Sequence, residues 1–303
     1  MPPTDSFTSY RPLLFSIAYR MLGTVMDAED VLQEAFLRWQ RAPVEEVDNP
    51  RAYLSAVVTR LCIDHLRSAR VQREEYIGPW LPEPLIMNDP APLEATILAE
   101  SLSTAFLVLL ENLNPVERAV YLLREVFDYD YAEIAKIVDK SEENCRQVFS
   151  RAKKYITERR PRFEPDPAQE QRLMGRFMET LASGDMDGLL EILAQEIVVY
   201  SDGGGKAFAA KKPVVGVVKV ARFFFGLVKQ IPPGWEVRFA RSNGLPALVN
   251  LINGVPHSVM AFQMFDGRIQ NVFVVVNPEK LRGVQRISQK DSPGHDKIRR
   301  HEF

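Results

Sequence analysis

Cysteine is scarce: Cys62 and Cys145 are the only two in 303 residues. Both fall inside helix-like apolar patterns, which fits neither a disulfide framework nor a four-ligand zinc site and points to a reducing compartment. No cofactor or metal is expected. Long apolar runs are missing too, since no segment approaches about 18 uninterrupted apolar residues. The opening MPPTDSFTSY has no basic start followed by an apolar stretch, so the expectation is a cytoplasmic chain, neither exported nor membrane-bound. Charge of one sign is not in excess, with 38 Lys and Arg against 40 Asp and Glu. Any nucleic-acid surface must then be a local patch rather than a global field.

What is present is an ordinary globular composition on a chain long enough for two domains, or three small ones, at about 150 residues each. Residues 7–73 and 97–160 carry 3.6-residue spacing with almost no glycine beyond Gly23. Between them lies YIGPWLPEPLIMNDPAP, whose five prolines remove backbone donors and hold the preceding residues extended, an extended linker unable to form a helix. From about residue 167 the pattern changes to a helix over 168–181, a helical turn over 186–193, and β-branched runs EIVVYS, WEVRFARS, ALVNLI, SVMAFQMF and IQNVFVVV. Asn243-Gly244, Asn253-Gly254 and Asp266-Gly267 read as hairpin turns. The fold class is therefore multidomain: two all-α domains, the second with a helix-turn-helix, then an α+β cone with a curved antiparallel sheet. The expected boundaries are 1–75, a Pro-rich linker 76–96, 97–162, the cone 166–282 and a flexible tail 283–303.

In DAEDVLQEAFLRW, Ala28, Val31, Leu32, Ala35, Phe36 and Trp39 form one buried stripe, leaving Glu29, Asp30, Gln33, Glu34 and Arg38 on the other face. That face is either a wet acidic surface or a docking site. A second helix begins after Asn49 with Pro50 at its first position. It buries Leu54, Val57, Val58 and Leu61, and its far end carries Arg60, His65, Arg67, Arg70 and Arg73. Guanidinium groups so clustered suit phosphates and base edges, a solvated helix end being the competing reading. In residues 131–156, two short apolar stripes flank the turn Asp139-Lys140-Ser141, which is helix-turn-helix spacing. Ser141 can cap the second helix, whose outward face carries Asn144, Arg146, Gln147, Ser150, Arg151, Lys153 and Lys154, types that contact base edges or neutralise phosphates.

With both helical segments in view, the first 160 residues or so resemble the extracytoplasmic-function sigma factors. DAEDVLQEAFLRW resembles the region-two helix that docks on core RNA polymerase, which assigns Glu29, Asp30, Gln33 and Glu34 to that contact. RAYLSAVVTRLCIDHLRSAR resembles the helix that meets the minus-ten element of promoter DNA, implicating Asn49, Arg60, His65, Arg67 and Arg70. Arg60 stands where the family commonly has Asn. The loop from Arg41 to Asn49 is expected to receive an extruded base. LNPVERAVYLLREVFDYDYAEIAKIVDKSEENCRQVFSRAKK resembles region four, which reads the minus-thirty-five element.

The third segment resembles SnoaL-like domains, cone-shaped folds related to ketosteroid isomerase that a subset of these sigma factors carries at the C-terminus. WLPEP, DGGGK and NPEKL carry that resemblance and mark Trp80, Pro82, Asp202, Gly203, Gly204, Gly205, Lys206, Asn277, Pro278 and Leu281 as regulatory residues. The implied function is promoter selection without bond chemistry, modulated in cis by the cone. The alternative is a cone that binds a small ligand or acts as an isomerase or cyclase, for which Asp202, Tyr200 and His257 are the available groups. A buried carboxylate facing a second donor across an open cavity would favour chemistry; a cavity plugged by Phe and Met, with Asp202 pointed at the helical domains, would favour a regulatory module.

Overall fold

The computed structural model describes residues 3–42, 47–73, 76–87, 103–159 and 166–284. It divides into two compact units, Met1–Glu75 with Phe106–Arg160, and Tyr76–Ala105 with Pro161–Phe303. Both helical segments thus share one unit, and the linker clusters with the cone.

The first unit begins with α1 (Pro3–Leu22), α2 (Val25–Arg41) and α3 (Pro50–Arg73). Thr24 caps α2 by accepting from the Asp27 amide, and Asn49 Oδ1 accepts from the Ala52 amide at the start of α3. The buried side of α2 is Ala28, Val31, Leu32, Ala35 and Trp39, as its periodicity predicts, with Phe36 edge-on to Phe7. The second segment supplies α4 (Thr104–Leu110), α5 (Pro115–Glu125), α6 (Tyr131–Val138) and α7 (Glu142–Arg159). Asn114 with Glu117 and Asp130 with Glu133 form capping boxes that fix where α5 and α6 begin. The turn between α6 and α7 has no glycine because Asp139 takes the left-handed conformation, φ 54°, which a short polar side chain tolerates.

The two segments are bolted together by polar groups in the interior. Arg118, 3% exposed, donates to the Met21 carbonyl at 2.6 Å and to Glu111 at 2.7 Å, and Tyr129 donates to Ser55 at 2.7 Å.

In the second unit, α8 (Pro167–Ser183) is capped by Asp166 and stopped by Gly184, and α9 (Met186–Ile192) leads into β2 (Leu193–Asp202). β3 (Val214–Val215) and α10 (Val217–Val228) follow, then β4 (Trp235–Ser242), β5 (Leu245–Ile252), β6 (Val255–Phe265) and β7 (Arg268–Val275). The three expected turns all have two successive positive φ values, as type I′ hairpins require. One strand comes from the linker: β1 (Ile86–Met87) pairs antiparallel with β4, giving the order β1-β4-β5-β6-β7-β2-β3. The expectation of an antiparallel sheet needs one correction, because β2 runs parallel to β7. No hairpin joins those two strands; the chain between them passes through β3, α10 and the strands β4 to β6.

Alternate residues of the meander, including Leu248, Met260, Phe262, Met264, Val272 and Val274, share a core with α8, α9 and α10. At its centre Phe177 meets Phe224 and Phe262 edge-on, with centroids 5.1 and 5.0 Å apart. Truncating Phe262 to alanine should cost about 3–5 kcal/mol. Urea unfolding followed by Trp235 fluorescence would show a lower midpoint with an unchanged helical-unit transition.

Candidate functional site

Three surfaces gather the residues singled out above. On α2, Asp30, Gln33 and Glu34 are exposed beside Met26 and Leu37, which are 60% and 45% exposed. Positions 26, 30, 33, 34 and 37 follow helical one-face spacing, so the outward stripe is acidic and apolar together. The two apolar members were hidden in the sequence by the stronger buried stripe. Glu29 is partly spoken for, since Arg11 on α1 donates to both its oxygens at 2.6 and 2.8 Å, and Glu34 pairs with Arg38.

On α3 the expected cationic strip is split. Arg60, exposed, reaches across to α6: its Nε donates to the Ile137 carbonyl at 2.9 Å and a terminal nitrogen to the Lys136 carbonyl at 2.6 Å. These are the last carbonyls of α6, where a cation complements the helix dipole. Arg60 stays exposed, and these two bonds engage only part of its guanidinium fork. His65 lies 3.7 Å from Asp27, and Arg67 3.5 Å from Asp64. Asn49 acts as a helix cap. The side chain of Arg70 and residues 43–46 of the proposed base-receiving loop lie outside the described residues.

On α7, Asn144, Arg146, Gln147, Ser150, Arg151, Lys153 and Lys154 are all exposed, opposite the buried Cys145, Val148, Ala152 and Ile156. Ser141 Oγ accepts from the Asn144 amide, the cap expected for this helix. Arg146 is poised rather than free, 2.8 Å from Glu142 and over the Tyr131 ring at 4.6 Å. Lys153 pairs with Glu125 at 3.0 Å. Both pairs are exposed, so each contributes about 0–1 kcal/mol and yields readily to a phosphate.

The most constrained cluster is in the second unit. Asp202, at the end of β2, has 0% exposure. Its Oδ1 accepts from the Tyr76 hydroxyl; its Oδ2 accepts from the Leu81 amide at 2.8 Å and from Lys280 Nζ at 2.7 Å. Lys280 also donates to the Leu81 carbonyl at 2.6 Å and sits 4.2 Å from the Trp80 ring centroid. Asn277 donates to the Tyr76 hydroxyl, and its own amide and that of Val276 donate to the Asp202 carbonyl. Burial and the hydrogen bond to Asp202 push the Tyr76 phenol up, so it stays a donor. Gly204, φ 56°, is irreplaceable here, since a Cβ would collide with the Asn277 amide nitrogen. Gly203 has no room either, with the Ala207 carbonyl in the way, and Lys206 closes the loop on Glu279 at 2.5 Å, which holds the Glu279 carboxyl below its usual range. Further along the linker, Asn243 accepts from the Leu85 amide at 3.0 Å and its amide donates back to the Leu85 carbonyl at 2.9 Å. Pro82 lines a cleft of about 10 Å³ with Pro84, Thr104, Asn243 and Phe273, room for one water at most.

Trp80, Asp202, Gly203, Gly204, Lys206 and Asn277 are thus brought together, Gly205 lies against Ile77, Pro82 lines the separate cleft, and Leu281, 2% exposed, is buried. Tyr76, Leu81 and Lys280 were missed. Their signal was faint, a lysine inside NPEKL and a tyrosine just before the prolines. Of the catalytic candidates, Asp202 is fully occupied, Tyr200 stacks on Phe273 at 5.5 Å, and exposed His257 leans on Trp235. The cone's interior is filled by Phe177, Phe224, Phe262, Met260 and Met264. No helix among the described residues is long and apolar enough to cross a membrane.

Replacing Asp202 by alanine leaves Lys280 buried without a counter-charge, which should cost about 3–5 kcal/mol. Limited proteolysis is expected to cut the variant between residues 76 and 87 while the wild type resists; equal resistance would mean that Asp202 does not hold the linker.

The family descriptions Sigma-70 region 2 and Sigma-70, region 4 match residues 7–71 and 103–156. The ECF RNA polymerase sigma factor SigJ of Mycobacterium tuberculosis is 38% identical over 92% of this chain and 93% of its own length. The probable ECF RNA polymerase sigma factor SigI of the same organism is 33% identical over 92% and 95%. The crystal structure of the M. tuberculosis SigJ superposes with a TM-score of 0.74 at 35% identity, covering 92% of this chain and 98% of that one.

Proposed function

Since this chain belongs to the extracytoplasmic-function RNA polymerase sigma factors, we propose how its surfaces divide the work of directing core polymerase to promoters. The acidic-apolar stripe Met26, Asp30, Gln33, Glu34 and Leu37 docks on polymerase, with Glu29 bound to Arg11 at its edge. The face of α7 reads the minus-thirty-five element, Arg146 and Gln147 contacting bases and Lys153 and Lys154 contacting phosphates. Arg67, the region around His65 and the exposed Arg60 meet the minus-ten element, Arg60 held in place by its bonds to the Lys136 and Ile137 carbonyls. The compartment is the cytoplasm, where core polymerase and the chromosome are.

The cone is a regulatory module without catalysis of its own. The observation that carries this is the occupancy of Asp202. A general base must be within reach of its substrate, and Asp202 has no exposure, its oxygens already accepting from Tyr76, the Leu81 amide and Lys280. The same contacts tie residues 76–87 to the cone, and those residues join the polymerase-binding segment to α4–α7. Holding them shortens the free connection between the two promoter-reading segments. Tethering in one chain supplies a millimolar-range effective concentration, so few contacts suffice.

In vitro transcription with core polymerase tests each part. Arg146→Ala or Gln147→Ala should relax base preference by about 1–3 kcal/mol at one position, whereas Lys153→Ala and Lys154→Ala should weaken binding evenly across sequences. Reversing charge at Asp30 and Glu34 should abolish core binding with helicity intact. Asp202→Ala, or removal of residues 277–281, should change output well beyond any change in protein level; unaltered output from both would show that the cone has no regulatory part.

A further inference from the structure

Residues 203–235 contain six cations, Lys206, Lys211, Lys212, Lys219, Arg222 and Lys229, and no Asp or Glu. In a chain of formal charge −2 such a stretch is a local field. Lys206 is committed to Glu279. The other five are exposed, and none makes an ion pair among the described residues; Glu196, exposed on the strand that pairs with β3, is bound to none of them either.

On α10 and its cap, Lys219, Arg222, Gly226 and Lys229 fall at i, i+3, i+7 and i+10, one face of a helix. The opposite side, Val220, Ala221 and Phe224, is buried in the cone. Lys211 and Lys212 lie on the loop that enters β3, which is joined to the start of α10 by Gly216 alone. Gly226 sits in the middle of the cationic face with nothing within 4 Å of where a Cβ would be. Glycine is less favourable than alanine inside a helix, and no neighbour within the fold requires it here. A bare backbone between two cations fits close approach by something from outside.

We propose that this face is a second nucleic-acid surface, binding the sugar-phosphate backbone of duplex DNA without reading sequence. The ten helical steps from Lys219 to Lys229 rise about 15 Å along the helix. That length spans roughly four phosphates of one strand at about 3.4 Å of axis each. The order of side chains disfavours a lipid surface. An interfacial helix puts its apolar residues at the centre of the outward face and cations at the rim. Here Arg222 and Gly226 are central, the exposed Val218 and Leu227 flank them on either side, and the exposed Phe208 and Val215 lie outside the helix. The inference rests on the promoter-binding reading above, because that reading is what brings DNA to this chain.

The test uses the full chain with core polymerase and a promoter fragment extended by upstream duplex of arbitrary sequence. Affinity is measured against salt for the wild type and for K211Q/K212Q/K219Q/R222Q/K229Q, all at exposed positions. The variant is expected to lower the slope of log affinity against log salt by about 0.9 for each phosphate it no longer neutralises, roughly three to five in all. Base preference should not change. Gly226→Ala should raise the melting temperature of the cone yet weaken DNA binding several-fold, a combination that a merely structural glycine would not give. An identical slope in wild type and variant overturns the proposal. So does binding of the wild type to phosphatidylserine vesicles, abolished in the variant, with the DNA slope unmoved. Failure of the promoter-binding reading would look different, since the wild type itself would then form no promoter complex.

Discussion

A carboxylate with no access to water has to be neutralised where it stands, and Asp202 is such a group. Two charges leaving water cost several kcal/mol each, repaid only when geometry is good and the remaining lone pairs are filled. Here Lys280 supplies the charge while Tyr76 and the Leu81 amide fill the other positions. Each partner imposes a further demand. Bringing Leu81 to the end of β2 requires the proline-rich stretch to run along the sheet, and five residues later that path allows Ile86–Met87 to pair with β4. Seating Asn277 requires a glycine at 204, and placing Lys280 requires the chain after β7 to fold back at once. One buried charge thus accounts for features in three stretches of sequence.

The helical unit obeys a different logic. Its interior is apolar and pairwise, with polar groups used as bolts: Arg118 to the end of α1, Tyr129 to α3 and Arg60 to the end of α6. Its surfaces are assigned by what those bolts leave over. The face of α7 is left wholly outside, its ion pairs weak and exposed, whereas Arg60, also exposed, holds two backbone carbonyls of α6. Residues of α7 can surrender their internal partners at little cost when they meet DNA, whereas Arg60 meets it with both carbonyls still held.

Local rules made much of this legible in the sequence. Period-two runs and Asn-Gly or Asp-Gly pairs located β4 to β7, and the Val31/Leu32/Ala35 stripe and Ser141 cap located α2 and α7. The short strings WLPEP, DGGGK and NPEKL pointed to the Asp202 cluster. What stayed hidden was set by long-range contact. Tyr76 and Lys280 are 126 and 78 residues from Asp202, and nothing near either residue signals a buried carboxylate. β1 is two residues long, too short for alternation to register, and the parallel pairing of β2 with β7 depends on the crossover through α10 rather than on either strand. The bonds of Arg60 to the Lys136 and Ile137 carbonyls, 76 and 77 residues away, were likewise invisible until α6 was placed.

The linker is held by the cone, yet it also joins two segments that must reach separate promoter elements. Any state of the polymerase complex that needs a different path for residues 76–87 competes directly with the Asp202 contacts. Linkage makes the competition reciprocal, so whatever loosens the linker favours that state by the same free energy, and that state loosens the linker equally. Releasing the linker leaves the Asp202–Lys280 pair in place and gives up the hydrogen bonds from Tyr76 and the Leu81 amide to that carboxylate. Each contributes about 1.5–3 kcal/mol as a bond to a charged group, so each shifts the balance between held and released linker by roughly one to two orders of magnitude. The single carboxylate therefore sets both the ground state of the cone and the size of any signal that could pass through it.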